Sequence, residues 1–141
     1  MEVSDFTSRA YFDHEADIGV IGRGATVEAA FVAAAEAMFA IMADLAAVQP
    51  RQHIEFTFEE ADVEFALVRW LNGLLAEARM RGLILGRFGL RKDGAQWRGE
   101  AWGEPWRAGL EKGVEVKGAT LTALSVKHGA TSWEARCVVD V

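Results

Sequence analysis

Residues 83–103 read LILGRFGLRKDGAQWRGEAWG, and this stretch decides the fold class. Residues 83–91 and 96–103 are rich in apolar and aromatic side chains and carry no helical period, which is typical of strands. Between them stands Asp93-Gly94, a pair that favours a tight turn because glycine adopts positive φ without steric cost. The stretch therefore predicts a β-hairpin.

A second hairpin is predicted at the end of the chain. Residues 114–127 and 132–141 have strand-like composition, and His128-Gly129-Ala130-Thr131 between them is typical of a turn. Strands joined by short turns pair antiparallel, so the second half of the chain predicts an antiparallel sheet.

The first half of the chain alternates strands with helices. Strands are predicted at residues 10–21 and 53–58, and helices at residues 27–43 and 63–79. Each helix has an apolar stripe and a recognisable start, and the second also has a stop. The residues predicted to cap the helices are Thr26, Asp62 and Gly82.

These elements together predict an α+β fold. We expect a single domain over residues 1–141, a two-layer sandwich with a mostly antiparallel sheet of about six strands. The two amphipathic helices would pack on one face of that sheet.

Composition excludes several function classes. The chain has 141 residues and a net charge of -6, so strong direct binding of nucleic acid through phosphate neutralisation is not expected. It has one cysteine, Cys137, which is expected to be a buried apolar residue in a reducing cytoplasm. No signal peptide is recognisable and no apolar run is long enough for a membrane span, so a cytoplasmic protein without membrane contact is expected.

Acidic residues cluster at both ends of the chain. Asp13-His14-Glu15-Ala16-Asp17 precedes the first helix, and the chain stops at Asp140-Val141, where a side-chain carboxylate adjoins the α-carboxylate. Alternate residues of one extended strand lie about 6.5–7 Å apart, so Asp13, Glu15 and Asp17 cannot all bind one ion without a sharp bend in the strand. If the first and last strands are neighbours, Asp140 could meet Asp17 and a hard cation such as Ca²⁺ or Mg²⁺ could bind there. The alternative is that these are ordinary surface acids.

Other candidate residues have weaker signals. His14 could ligate a metal or donate a hydrogen bond to a phosphate. In a continuous strand it would lie on the face opposite Asp17, so its expected role is to orient a neighbouring carboxylate. Lys117, on a predicted strand, could pair with the acidic site, contact a nucleotide or simply be solvated. Trp102 and Trp106, on either side of Pro105, are candidates for a partner contact. No chemistry is assigned to His53.

Several segments, in order along the chain, resemble the archease family. Asp13-His14-Glu15-Ala16-Asp17-Ile18-Gly19 resembles its DHTAD(V/I)G opening, and residues 26–31 and 38–44 resemble its TLEEAF and LFxLMTD segments. Residues 67–75 are similar to LLVRWLNELL, residues 101–104 to (V/A)xGE and residues 116–120 to VKAVT. The chain also ends, as family members do, on Asp followed by an aliphatic residue.

The resemblance implies an accessory protein that is not itself an enzyme. Archeases activate the RNA ligase that joins 2′,3′-cyclic-phosphate or 3′-phosphate ends to 5′-hydroxyl ends, in tRNA splicing or RNA repair. They promote guanylylation of the ligase and multiple turnover through a transient protein–protein complex. The family's metal ligands fall on Asp17, Asp140 and Val141, and Ca²⁺ is the ion implied, with Mg²⁺ or Mn²⁺ as alternatives. Asp13, His14, Glu15 and Lys117 are supporting candidates.

Two positions depart from the family pattern. Glu15 replaces the usual threonine, and Leu121-Thr122 stands where Tyr-His is common. Two other functions are compatible with the same residues: a metal-dependent phosphoesterase, and a general chaperone of nucleic-acid-modifying enzymes.

Overall fold

The computed structural model describes residues 11–14 and 17–141, with the backbone alone at residues 12–14. The described part contains two long helices, a 3₁₀ turn and eight strands. Helix α1 is Val27–Ala40, helix α2 is Val63–Arg81, and the 3₁₀ turn is Leu45–Ala47. The strands are β1 Tyr11–His14, β2 Asp17–Gly24, β3 Gln52–Glu59, β4 Leu83–Asp93, β5 Gln96–Pro105, β6 Gly118–Ala119, β7 Ser125–His128 and β8 Trp133–Asp140. No helix in this part of the chain combines the length and apolar character that a membrane span requires.

The strands form two antiparallel sheets. The first has the order β1-β2-β8-β6, with β7 also paired to β8, and the second has the order β3-β5-β4. Both helices contact strands of both sheets. The α+β class and the predicted β4–β5 hairpin are therefore confirmed, whereas the strands are divided between two sheets because β2 pairs with the distant β8 and not with β3.

Two predicted strands differ from the structure. The strand predicted at residues 10–21 is a hairpin, in which β1 folds back on β2 and His14 pairs with Asp17. The strand predicted at residues 114–127 is mostly irregular, and only β6 and β7 are strand. Its beginning bonds to the end of α1 instead, where the N–H groups of Gly113 and Val114 donate to the carbonyls of Met42 and Ile41 at 2.7 and 3.0 Å.

The predicted helix caps are confirmed. The Thr26 hydroxyl accepts from the N–H of Ala29 at 3.0 Å, and an Asp62 oxygen accepts from Glu64 at 2.8 Å. Gly82 ends α2 with a φ of 68°, in the left-handed region that glycine adopts at no steric cost. Helix α1 ends at Ala40, earlier than the predicted Ala43.

One continuous core joins the helices to both sheets. Trp70 and Trp97 are completely buried, and each indole N–H donates to a backbone carbonyl, Phe31 at 2.9 Å and Glu60 at 3.0 Å. The Phe31 ring stacks on Trp97 with centroids 5.2 Å apart. The polar atoms of these large side chains are thus satisfied inside the core, which removes the cost of burying them.

Helix α1 lies unusually close to β2. A Cβ added to Gly22 would come within 2.2 Å of the Ala30 carbonyl oxygen and 2.3 Å of the Ala34 nitrogen. Alanine on the helix and glycine on the strand leave room for this approach, and both contacting groups are backbone, which cannot rotate away.

We predict that Gly22→Ala lowers the free energy of unfolding by about 2 kcal/mol or more, because helix and strand must separate to admit the methyl group. Chemical denaturation measures the effect. Gly129→Ala is the matched control, since its Cβ would meet only the Ser132 carbonyl at 3.5 Å, and it should change stability by less than about 0.5 kcal/mol. Equal stabilities for the two variants would contradict the close packing.

Glu104, at the end of β5, is buried with a set of donors around it. Arg107 Nε donates to one carboxylate oxygen at 2.9 Å, and the N–H of Gln49 donates to the other at 2.7 Å. Arg51 lies 3.8 Å away. The hydrogen bond from Arg107, then that from Gln49, lower the pKa of Glu104 below its ordinary value.

Because the pKa of Glu104 is depressed in the folded protein, the ionised carboxylate stabilises the fold at neutral pH. This contribution is complete above the unfolded pKa of about 4.3 and is lost as the pH falls through the lower folded pKa. We therefore predict that the stability gap between the wild type and Glu104→Gln is widest near pH 7 and narrows below about pH 4. Denaturation at a series of pH values measures the gap. A gap independent of pH would contradict this assignment.

Candidate metal centre

The register of β2 against β8 brings the two acidic ends together. Ile18 pairs with Val139, so Asp17 and Asp140 occupy the next opposed positions toward the chain end. Opposed residues of antiparallel strands have Cα atoms about 4.5–5.5 Å apart and lie on the same face. The premise that the first and last strands are neighbours is confirmed by this pairing.

The two faces of the β2–β8 pair carry different side chains at the end near Asp17 and Asp140. Val20 and Cys137 are opposed on the face that packs against the core, and both are completely buried. Asp17 and Asp140 belong to the other face, where Asp17 is half-buried and Asp140 is exposed. Burial raises the pKa of the Cys137 thiol to about 12, so β8 has no thiolate to offer a soft metal at neutral pH.

Val141 fixes the position of the chain end. Its side chain packs against the core cluster, while Asp140 before it pairs with Gly118 of β6. The α-carboxylate thus follows directly after a residue that is held on both sides by neighbouring strands. The register places Asp17, Asp140 and the Val141 carboxylate at the same end of the β2–β8 pair, and Ca²⁺ and Mg²⁺ prefer oxygen ligands of this kind.

The remaining acidic candidates are less completely defined. The register puts His14 directly opposite Asp17, and Asp13 opposite Ile18. The expectation that His14 lies on the face opposite Asp17 assumed one continuous strand. That assumption is wrong, because β1 and β2 are two paired strands. Glu15 lies outside the described residues.

Lys117 lies beside the chain end. It is exposed, immediately precedes β6, and its N–H donates to the Asp140 carbonyl at 2.8 Å. It is therefore not part of a long strand, as was predicted, but it does lie next to the acidic group.

Two residues of α2 hold the segment that carries Lys117, and sequence reasoning gave neither a role. Asn72 receives the N–H of Ala119 at 2.8 Å and donates to the Ala119 carbonyl at 3.1 Å. Arg79 donates to the carbonyls of Val116 and Lys117 at 2.8 and 2.6 Å. The sequence offered one indication of this role. Asparagine is a poor helix former because its side chain tends to hydrogen-bond to backbone groups, and Asn72 stands in the middle of a predicted helix.

A model of the archease protein family (MTH1598/TM1083) matches residues 10–141. This chain belongs to the archease family. The resemblance of its sequence motifs is confirmed by that match.

Individual archeases match along most of their length. Protein archease of Aeropyrum pernix is 31% identical over 137 residues, covering 92% of this chain and 94% of its own. That of Thermococcus kodakarensis is 34% identical and covers 93% and 96%.

Solved structures share the fold. The solution structure of Methanobacterium thermoautotrophicum protein 1598 has a TM-score of 0.83 at 28% identity, covering 94% of this chain and 97% of that one. A Thermotoga maritima archease, described as a possible chaperone, has a TM-score of 0.66 at 18% identity with the same coverage and supports the fold alone.

We predict that Asn72→Ala loosens β6 and the neighbouring Lys117 while the core stays folded. The outward N–H and C=O of Ala119 would lose both partners, at a cost of about 1–3 kcal/mol. Hydrogen exchange of the Ala119 amide should accelerate at least tenfold.

Arg69→Ala, on the exposed side of the same helix, is the control. Among the residues that the structure describes, Arg69 forms only a surface ion pair with Glu60, so its loss should leave Ala119 exchange unchanged. Unchanged exchange in Asn72→Ala would mean that Asn72 does not hold β6.

Proposed function

We propose that this archease is an accessory protein that activates an RNA ligase in the cytoplasm. The ligase would join 2′,3′-cyclic-phosphate or 3′-phosphate ends to 5′-hydroxyl ends, in tRNA splicing or RNA repair. The archease would promote guanylylation of the ligase and its multiple turnover through a transient complex. The proposal is supported by membership of the family and by one structural observation, the β2–β8 register that brings Asp17 to the chain end.

The β2–β8 register matters because it brings negative charges together. In this proposal three anionic groups, from Asp17, Asp140 and the Val141 terminus, converge at one end of the β2–β8 pair. Like charges so close repel unless a cation is shared between them. Oxygen ligands without imidazole or thiolate suit Ca²⁺, with Mg²⁺ or Mn²⁺ as alternatives.

Each residue of the centre has a separate task in this proposal. Asp17 and Asp140 supply side-chain oxygens, and packing of the Val141 side chain aims the terminal carboxylate. Asn72 and Arg79 hold the segment on which Lys117 lies, so that this lysine remains next to the acidic residues at the chain end. A bound divalent ion supplies charge that can orient and neutralise phosphate oxygens during nucleotidyl transfer.

The surface next to this centre is suited to a protein partner. Leu121 is 62% exposed, which is high for a large apolar side chain. It lies in the loop after β6, whose Thr120 donates its N–H and hydroxyl to the Val138 carbonyl at 3.0 and 2.8 Å. An apolar contact beside a charged centre is the composition expected of a small transient interface. The net charge of -6 disfavours RNA itself as the direct partner.

We predict that the purified protein accelerates guanylylation of its cognate ligase, and that Asp17→Asn or Asp140→Asn reduces this acceleration at least tenfold. Either change removes one carboxylate from the cation. The measurement is transfer of radiolabelled GMP to the ligase over time, together with Ca²⁺ affinity of the isolated archease by calorimetry.

Asp93→Asn, in the turn between β4 and β5 of the other sheet, is the matched acidic control and should behave as the wild type. One glycine added after Val141 moves the α-carboxylate without changing any side chain, and should act like Asp140→Asn. No acceleration by the wild type, or full acceleration by Asp17→Asn, would contradict the proposal. Turnover of nucleotides by the archease alone with Mg²⁺ would instead support a phosphoesterase.

A further inference from the structure

Two glutamates face each other on the open side of the three-stranded sheet. Glu55 of β3 pairs directly with Glu100 of β5, and the next position across, in β4, is Gly89. Like charges at opposed positions of an antiparallel pair destabilise it. Within residues 11–14 and 17–141, Glu55 has no hydrogen bond or ion pair, although Arg98 and Arg91 occupy neighbouring positions on the same face.

A histidine completes the group. His53 precedes Glu55 by two residues and therefore lies on the same face of β3. Its Nε2 is 2.8 Å from Glu100 Oε1. Its ring packs against Trp102 with centroids 4.8 Å apart, and Arg87 lies 5.4 Å from the centroid of the same indole. The imidazole is thus held in place on one side while its nitrogen faces the carboxylates.

The spacing of the donor atoms is close to that of a coordination shell. One ligand atom from each of His53, Glu55 and Glu100 lies within 4.8 Å of the others. Ligands about 2.0–2.2 Å from a tetrahedral ion are roughly 3.3 Å apart, so a closure of about 1.5 Å is required. The side chains can make this movement by rotation about their χ angles, because all three stand on an open sheet face. Glu55 is exposed, and His53 and Glu100 are 40% and 41% exposed.

We propose that His53, Glu55 and Glu100 form a second metal site, for a divalent transition ion of the Zn²⁺ class. Imidazole nitrogen favours Zn²⁺, Ni²⁺ and Cu²⁺ over Ca²⁺ or Mg²⁺, and two carboxylates supply the charge. The fourth position faces solvent and takes water or an anionic group. The ion replaces the proton between His53 and Glu100 and removes the repulsion between the two glutamates. This proposal uses no residue of the β2–β8 centre.

In the first test, the full chain without an affinity tag is titrated with Zn²⁺, and calorimetry measures the binding. We expect one site that His53→Ala and Glu55→Gln each weaken at least tenfold. His128→Ala is the matched control, because His128 is also exposed and also stacks on a tryptophan, Trp133, with centroids 4.5 Å apart. Circular dichroism verifies that each variant is folded, and His53→Gln offers a less disruptive change at the same position.

The second test locates the ion. Co²⁺ is added to the ¹⁵N-labelled protein, and the indole N–H signals of its five tryptophans are followed. The Trp102 signal, assigned with Trp102→Phe, should broaden before that of Trp133. Earlier broadening of Trp133, unchanged Zn²⁺ affinity in His53→Ala, or binding only at millimolar Zn²⁺ would each overturn the proposal.

The two metal proposals fail separately. Asp17→Asn should leave Zn²⁺ affinity intact, and His53→Ala should leave Ca²⁺ affinity and ligase activation intact. Loss of Zn²⁺ binding in Asp17→Asn together with unchanged binding in His53→Ala would assign the ion to the chain end and overturn the second site alone.

Discussion

The pairing of β2 with β8 is the constraint on which the rest of the structure depends. It joins a strand near the start of the chain to the last one, and its core face carries Val20 and Cys137 under helix α1. A slip of one residue in either strand would move its acidic residue to the face under helix α1 and would turn Val20 or Cys137 away from that helix. The burial energy that fixes the register therefore also fixes the distance between Asp17 and Asp140.

Chain ends usually fray, and this one is held from several directions. Strand β8 has β2 on one side and β6 with β7 on the other, and Val141 packs into the core. Asn72 satisfies the outward backbone groups of Ala119, which would otherwise form an unpaired edge. Helix α2 thus orders the short strand that pairs with Asp140.

The parts of the fold that sequence predicted well depend on local physics. Thr26, Asp62 and Gly82 cap helices through contacts with residues a few positions away, and the Asp93-Gly94 turn needs only its own backbone, with Gly94 at a φ of 62°. The errors arose where partners are distant. Glu15-Ala16 carries no turn residue, so the β1–β2 hairpin was predicted as one strand. Residues 113–117 look like a strand but bond to the end of α1 and to Arg79, contacts that no local pattern encodes.

Both candidate centres also depend on contacts between residues that are distant in sequence. The outward parity of Asp140 followed from the alternation of β8, but its meeting with Asp17 required the topology, which only the family resemblance implied in advance. His53 and Glu55 are visibly alternate in sequence, yet Glu100 joins them only through the β3–β5 register, and so no chemistry was assigned to His53. The centres occupy different sheets and offer different donors, oxygen alone at the chain end and oxygen with imidazole on the open face. Imidazole favours a transition ion over Ca²⁺ or Mg²⁺, whereas carboxylate oxygens alone give a hard cation no such disadvantage, so the two proposed centres would differ in the ion that they prefer.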